Sequence, residues 1–150
     1  MIKQITSSIF SSLGAGLVAQ LTQQYLETEY FNDFLKENLI NLLIALLAIN
    51  TATLGIVLTK IRELVDQSGN FDSFKKTKNQ MLLSIREQLF LIVAAIITFT
   101  FWSSKKLIAF KNAELIFGVI AAAIFVYSML VLYDTAKSVL IVIDYDSPQP

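Results

Sequence analysis

Three long intervals without a charged residue constrain this chain more than any other feature. Glu37 and Lys60 bracket 22 uncharged residues, Glu87 and Lys105 bracket 17, and Glu114 and Asp134 bracket 19. A helix that spans a bilayer takes about 20 mainly apolar residues, within a range of roughly 17–25. Three such runs in 150 residues, in a chain only 16% charged, predict an all-α, polytopic transmembrane helical bundle. The chain reads as one membrane domain over 1–150, with spans near 38–59, 88–104 and 115–133.

Residues 4–26 are also uncharged, yet ten of these 23 are Ser, Thr or Gln. Ile5, Ile9, Leu13, Leu17, Leu21 and Tyr25 recur every four residues and form one helical stripe. Ser11, Ser12, Ala15, Gly16 and Ala19 give the other side small residues, which let helix backbones approach closely in a bilayer. A signal peptide fits poorly, because Ser pairs interrupt the apolar region and only Lys3 precedes it. An interfacial anchor would carry more Lys and Arg on its polar face. The expectation is a weaker, polar span over about 6–26, packed against other protein and shielded from lipid.

Basic residues set the orientation. The segment 60–86 holds Lys60, Arg62, Lys75, Lys76, Lys78 and Arg86, so the positive-inside rule puts it in the cytoplasm. Four spans then place both termini inside, with Lys3 and Lys137, and leave Lys36, Lys105, Lys106 and Lys111 outside. Residues 27–37 are expected as an external loop. Tyr25, Tyr30, Phe31, Phe34, Phe99, Phe101, Trp102 and Phe110 gather at that level, as an interfacial belt would.

The helical pattern continues past the inner surface. Ile61, Leu64 and Val65 share a face, as do Phe74, Met81, Ile85 and Leu89 across the turn-rich QSGNFDS. Gly69 suits the end of the first arm, and Asp72 or Ser73 the start of the second. This predicts a cytoplasmic helical hairpin over 60–87. It is joined by a C-terminal helix over 134–146, in which Ala136, Val139, Leu140 and Ile143 lie on one side. The β-branched stretch 138–143 suits a strand as well.

Chemistry is restricted by what is missing. The chain has no His and no Cys, and no Gly-rich phosphate loop, GxSxG motif or paired carboxylates at metal spacing. No enzyme activity, metal or cofactor is expected. Twelve basic and 12 acidic residues balance, so no nucleic-acid partner is expected either.

The informative polar residues lie inside the spans. Asn50 and Thr53, with Ser11, Ser12 and Gln20 of the first helix, are candidates for a pore lining or for interhelical hydrogen bonds. Glu87 and Asp134 mark either the membrane boundary or a charged cytoplasmic mouth. Lys60, Arg62, Lys75, Lys76 and Lys78 suit anionic lipid heads or an anionic cytosolic ligand.

In hydropathy layout the chain resembles small polytopic components of bacterial phage-exclusion and abortive-infection systems, and also holin-sized proteins. That resemblance implies an inner-membrane homo-oligomer acting on membrane integrity as an ion-permeable pore in antiviral defence. The alternative is a non-conducting anchor whose stalk docks a cytosolic partner protein.

Overall fold

The computed structural model describes residues 2–68, 72–108 and 112–145. They form α1 (Ile2–Tyr25), α2 (Tyr30–Ser68), α3 (Asp72–Trp102), the single turn α4 (Lys105–Ile108) and α5 (Ala113–Tyr145). No strand occurs among the described residues, and 138–143 is helical within α5. Four helices are long and apolar enough to cross a membrane, over Ile5–Tyr25, Tyr30–Glu63, Lys78–Trp102 and Ala113–Lys137. The all-α bundle expected from the charge-free intervals is the fold observed.

The bundle is organised around α5, which packs against α1, α2 and α3, while α2 and α3 also pack together. On α3 the buried positions Met81, Ser84, Gln88, Leu91, Ala95, Thr98 and Trp102 alternate by three and four residues. On α2, Leu43, Leu46, Asn50, Leu54, Val57 and Ile61 follow a similar rhythm. Such spacing averages near 3.5 and keeps one seam facing a neighbouring helix along its whole length. On α5, by contrast, four consecutive residues, Ala121–Ile124, are all buried. Burial all round follows from neighbours on several sides, and the small alanines let those neighbours come close.

α1 is turned with its polar side inward. Ser12, Gly16, Gln20 and Gln23 are buried, whereas Ile9, Leu13, Leu17 and Leu21 are 40–50% exposed. In hydrocarbon this is the stable arrangement, because the apolar stripe meets lipid and the hydroxyls and amides meet protein. The expected small face divides: Ser12 and Gly16 pack on the bundle and Ala19 is half-buried, but Ser11 and Ala15 are exposed. Shielding from lipid therefore applies to the polar face only.

The external loop is shorter than expected. α2 already begins at Tyr30, so most of 27–37 is helix. Local chemistry explains the early start. Glu27 adopts φ 50°, and the Thr28 N–H donates to the Gln23 carbonyl at 3.1 Å, which closes the end of α1. The Thr28 hydroxyl then accepts from Tyr30 N at 3.3 Å, while Gln23 Oε1 accepts from Phe31 N at 2.9 Å and Asn32 N at 3.2 Å. These satisfy backbone donors that a helix start leaves free. Gln23→Leu should lower the thermal midpoint of the detergent-solubilised protein, by a loss of about 1–2 kcal/mol.

The aromatic level is not a lipid-facing belt throughout. Trp102 is buried, stacked against Phe99 and Phe117 with centroids 6.1 and 6.4 Å apart, and Phe31 meets Phe125 edge-on at 6.2 Å. Tyr25, Tyr30 and Phe101 do face outward. At the other end, α2, α3 and α5 run to 39, 31 and 33 residues, roughly 60, 45 and 50 Å. They outrun a hydrocarbon layer of about 30 Å. There Leu54, Val57, Ile61 and Met81 form a second core, with Leu58, Ile85 and Val139 against it. Leu89, Ala136 and Leu140 do not join the predicted stripe; all three are exposed. Residues 69–71, and the side chains of Leu64, Val65, Phe74 and Ile143, lie outside what is described.

Candidate functional site

Most polar groups within the bundle are satisfied by their own helix. The hydroxyls of Ser12, Ser84, Thr98 and Thr135 each donate to the carbonyl four residues back, at 2.7–3.2 Å, and Ser128 donates to Phe125 O at 2.7 Å. A hydroxyl has one proton to place, and the preceding turn accepts it. A primary amide has two donors and an acceptor, more than its own turn can take up.

Two amides show the consequence. Asn50 is 2% exposed and Gln88 is fully buried, and all four of their amide nitrogen and oxygen atoms are enclosed without a hydrogen-bond partner. They also stand at one level. Lys36 Nζ lies 4.4 Å from the Trp102 ring centroid, which ties the register of α2 to that of α3. Asn50 is 14 residues beyond Lys36, and Gln88 is 14 residues before Trp102. At 1.5 Å per residue both amides lie about 21 Å from that contact. That depth is well inside a hydrocarbon layer of about 30 Å. Leaving such groups unbonded costs roughly 1–3 kcal/mol each.

The acids Glu87 and Asp134 come together close to this level. Glu87 accepts a side-chain hydrogen bond from Tyr127, and Asp134 lies within Coulombic reach of both. Of the other expected lining residues, Ser12 and Gln20 are buried, Thr53 is half-buried and Ser11 is exposed. Gln20 belongs to a different cluster at the far end of α1, where its Nε2 donates to Asn32 Oδ1 at 2.6 Å. Among the basic candidates, Lys60 pairs with Glu63 at 3.5 Å, Arg62 and Lys75 are exposed, and Lys78 is half-buried. The side chain of Lys76 lies outside the described residues.

Gln88, Tyr127, Gln23 and Asn32 escaped the sequence reading. Gln88 was legible as the central member of the three-and-four spacing from Met81 to Trp102. One surface feature also escaped it. Asn41, Ala45, Ala48, Ala52, Gly55 and Thr59 recur by four and three residues and are all exposed, and nothing lies within 4 Å of a Cβ built on Gly55. They form a continuous ladder of small and polar side chains along the outer face of α2.

Comparison with protein-family models, with curated proteins and with solved structures finds no match.

Proposed function

We propose that the protein is a self-associating component of a bacterial inner membrane that forms an ion-permeable oligomer, gated through its cytoplasmic helical extensions. The observation that carries this reading is the Asn50–Gln88 pair. Four hydrogen-bonding atoms are held without partners at a depth where lipid offers none. A conformation that lets water reach them recovers their hydrogen bonds, so the closed bundle stands near a wetter alternative. The small-residue ladder on α2 supports self-association, since small residues at helical spacing let two backbones pack closely in a bilayer.

The extensions would act on the gate through continuity, because the second core lies on the same three helices as the amide pair. The surplus of basic residues in 60–86 supports placing these extensions, and both termini, in the cytoplasm. Glu87 and Asp134 would then favour cations at the inner mouth. A membrane-integrity effector of the phage-defence type follows from the same layout. The anchor alternative draws no support from Ile61, Met81, Ile85 and Val139, which pack against one another.

The full chain, purified and reconstituted in liposomes, should release trapped potassium, with flux rising with protein-to-lipid ratio more steeply than linearly. Sealed liposomes that contain a verified oligomer would overturn the pore.

A further inference from the structure

A cavity of 450 Å³ lies where the end of α1 meets the starts of α2 and α5, far from the mid-bundle amides. Gln20, Gln23, Glu29, Asn32, Asn112 and Glu114 are among its lining residues. This volume falls in the range of small-molecule sites, about 300–1,000 Å³.

The wall is built and incompletely used. Gln20 and Asn32 are only 4% and 6% exposed. Gln20 Nε2 and Gln23 Nε2 both donate to Asn32 Oδ1, at 2.6 and 3.2 Å. Gln23 Oε1 is occupied by the backbone N–H groups of Phe31 and Asn32. That leaves Gln20 Oε1 as an acceptor and Asn32 Nδ2 as a donor, neither with a protein partner. Two carboxylates, Glu29 and Glu114, also line the cavity, and no basic side chain does. Each acid stands at the start of its own helix, where the macrodipole favours an anion. Their convergence on one cavity with a free amide acceptor calls for a cation that is also a hydrogen-bond donor.

We propose that this cavity binds a primary ammonium group carrying an oxygen nearby, the chemistry of ethanolamine. The carboxylates of Glu29 and Glu114 supply the counter-charge, and Gln20 Oε1 accepts one ammonium proton. Asn32 Nδ2 donates to the ligand oxygen. The group has two possible sources, a free amine or the headgroup of an aminophospholipid, and both present the same atoms. A trimethylammonium group does not satisfy the site, because it has no N–H to donate.

The test uses the full chain in nanodiscs made of choline lipid alone. Titration with ethanolamine, followed by calorimetry, should show saturable binding that choline does not reproduce. Glu114→Gln and Glu29→Gln should each weaken it at least tenfold without changing the circular dichroism spectrum. Nanodiscs doped with phosphatidylethanolamine identify the source. Retention of that lipid in native mass spectra, lost in both variants, assigns the headgroup; binding of free ethanolamine alone assigns a soluble amine. Equal binding of choline, binding of calcium in place of either amine, undiminished affinity in both variants, or no binding of either amine form would overturn the proposal.

Discussion

Replacing Asn50 by Leu and Gln88 by Met should make the bundle harder to unfold and close it to ions. Both substitutions nearly preserve shape while removing the four enclosed polar atoms that lack partners. Removing a buried group that is already unbonded relieves its desolvation cost, about 1–3 kcal/mol for each group. The double variant should therefore gain roughly 2–6 kcal/mol against denaturant in micelles. Its liposome flux should drop at least tenfold, because the hydrated conformation no longer has polar groups to satisfy. The sign of the stability change separates this account from its main competitor. Were the amides bonded to each other across α2 and α3, removing one would strand the other. Each single variant would then lose stability, by about 0.6–1.7 kcal/mol for an average interhelical bond in a membrane. A double-mutant cycle would also show strong coupling. Accessibility offers a second readout, since the chain has no cysteine. Asn50→Cys should react with a small charged thiol reagent under conditions that open the pore, and resist it otherwise.

The helices were legible because hydropathy reports solvent, and lipid selects long charge-free stretches. Hydropathy says less about which face turns inward. In water an apolar stripe marks the core, but in a bilayer both sides of a helix have apolar surroundings. Packing faces are then marked by small and polar residues. The first helix was readable on those terms because its Gly, Ser and Gln residues contrast with the Leu stripe. Ser11 and Ser12 were not separable, since a serine hydroxyl can bond to its own helix on either face. Gln88 was hidden by its neighbour. Glu87 looked like a membrane boundary, which made the adjacent amide look peripheral. The register set by Lys36 and Trp102 instead places Gln88 level with Asn50, and that contact depends on tertiary packing that no local pattern encodes. The early start of α2 was likewise hidden, because its cap comes from Gln23, eight residues before Phe31.

Gly16→Leu should free α1 from α5, whereas Gly14→Leu, two residues away, should leave the bundle intact. A Cβ at position 16 would lie 2.7 Å from Val119 O, 3.1 Å from Ala123 N and 3.4 Å from Ala122 Cβ. Two of those three neighbours are backbone atoms of a central helix, so they cannot rotate away. At Gly14 nothing lies within 4 Å of the added carbon. Gly118 differs again: its Cβ would meet the Gln20 side chain at 2.6 Å, a flexible group but one held by Asn32. Even Gly16→Ala should cost about 1–3 kcal/mol as an overpacked contact. The Leu variant exceeds what local adjustment can absorb, so α1 must move as a whole. The consequence should be readable 15 residues away. Gln23 rides on α1 and bonds to the backbone N–H groups of Phe31 and Asn32. When α1 leaves, those two amides lose their partner, and their hydrogen-exchange protection should fall at least tenfold. Amides in the α2–α3 seam around Leu43 and Leu91 should keep theirs, because their neighbours lie on helices that have not moved. Uniform loss of protection across all helices would show instead that α1 is integral to a single cooperative unit. Unchanged protection at Phe31 and Asn32 would mean that α1 can dock without the close approach that Gly16 permits.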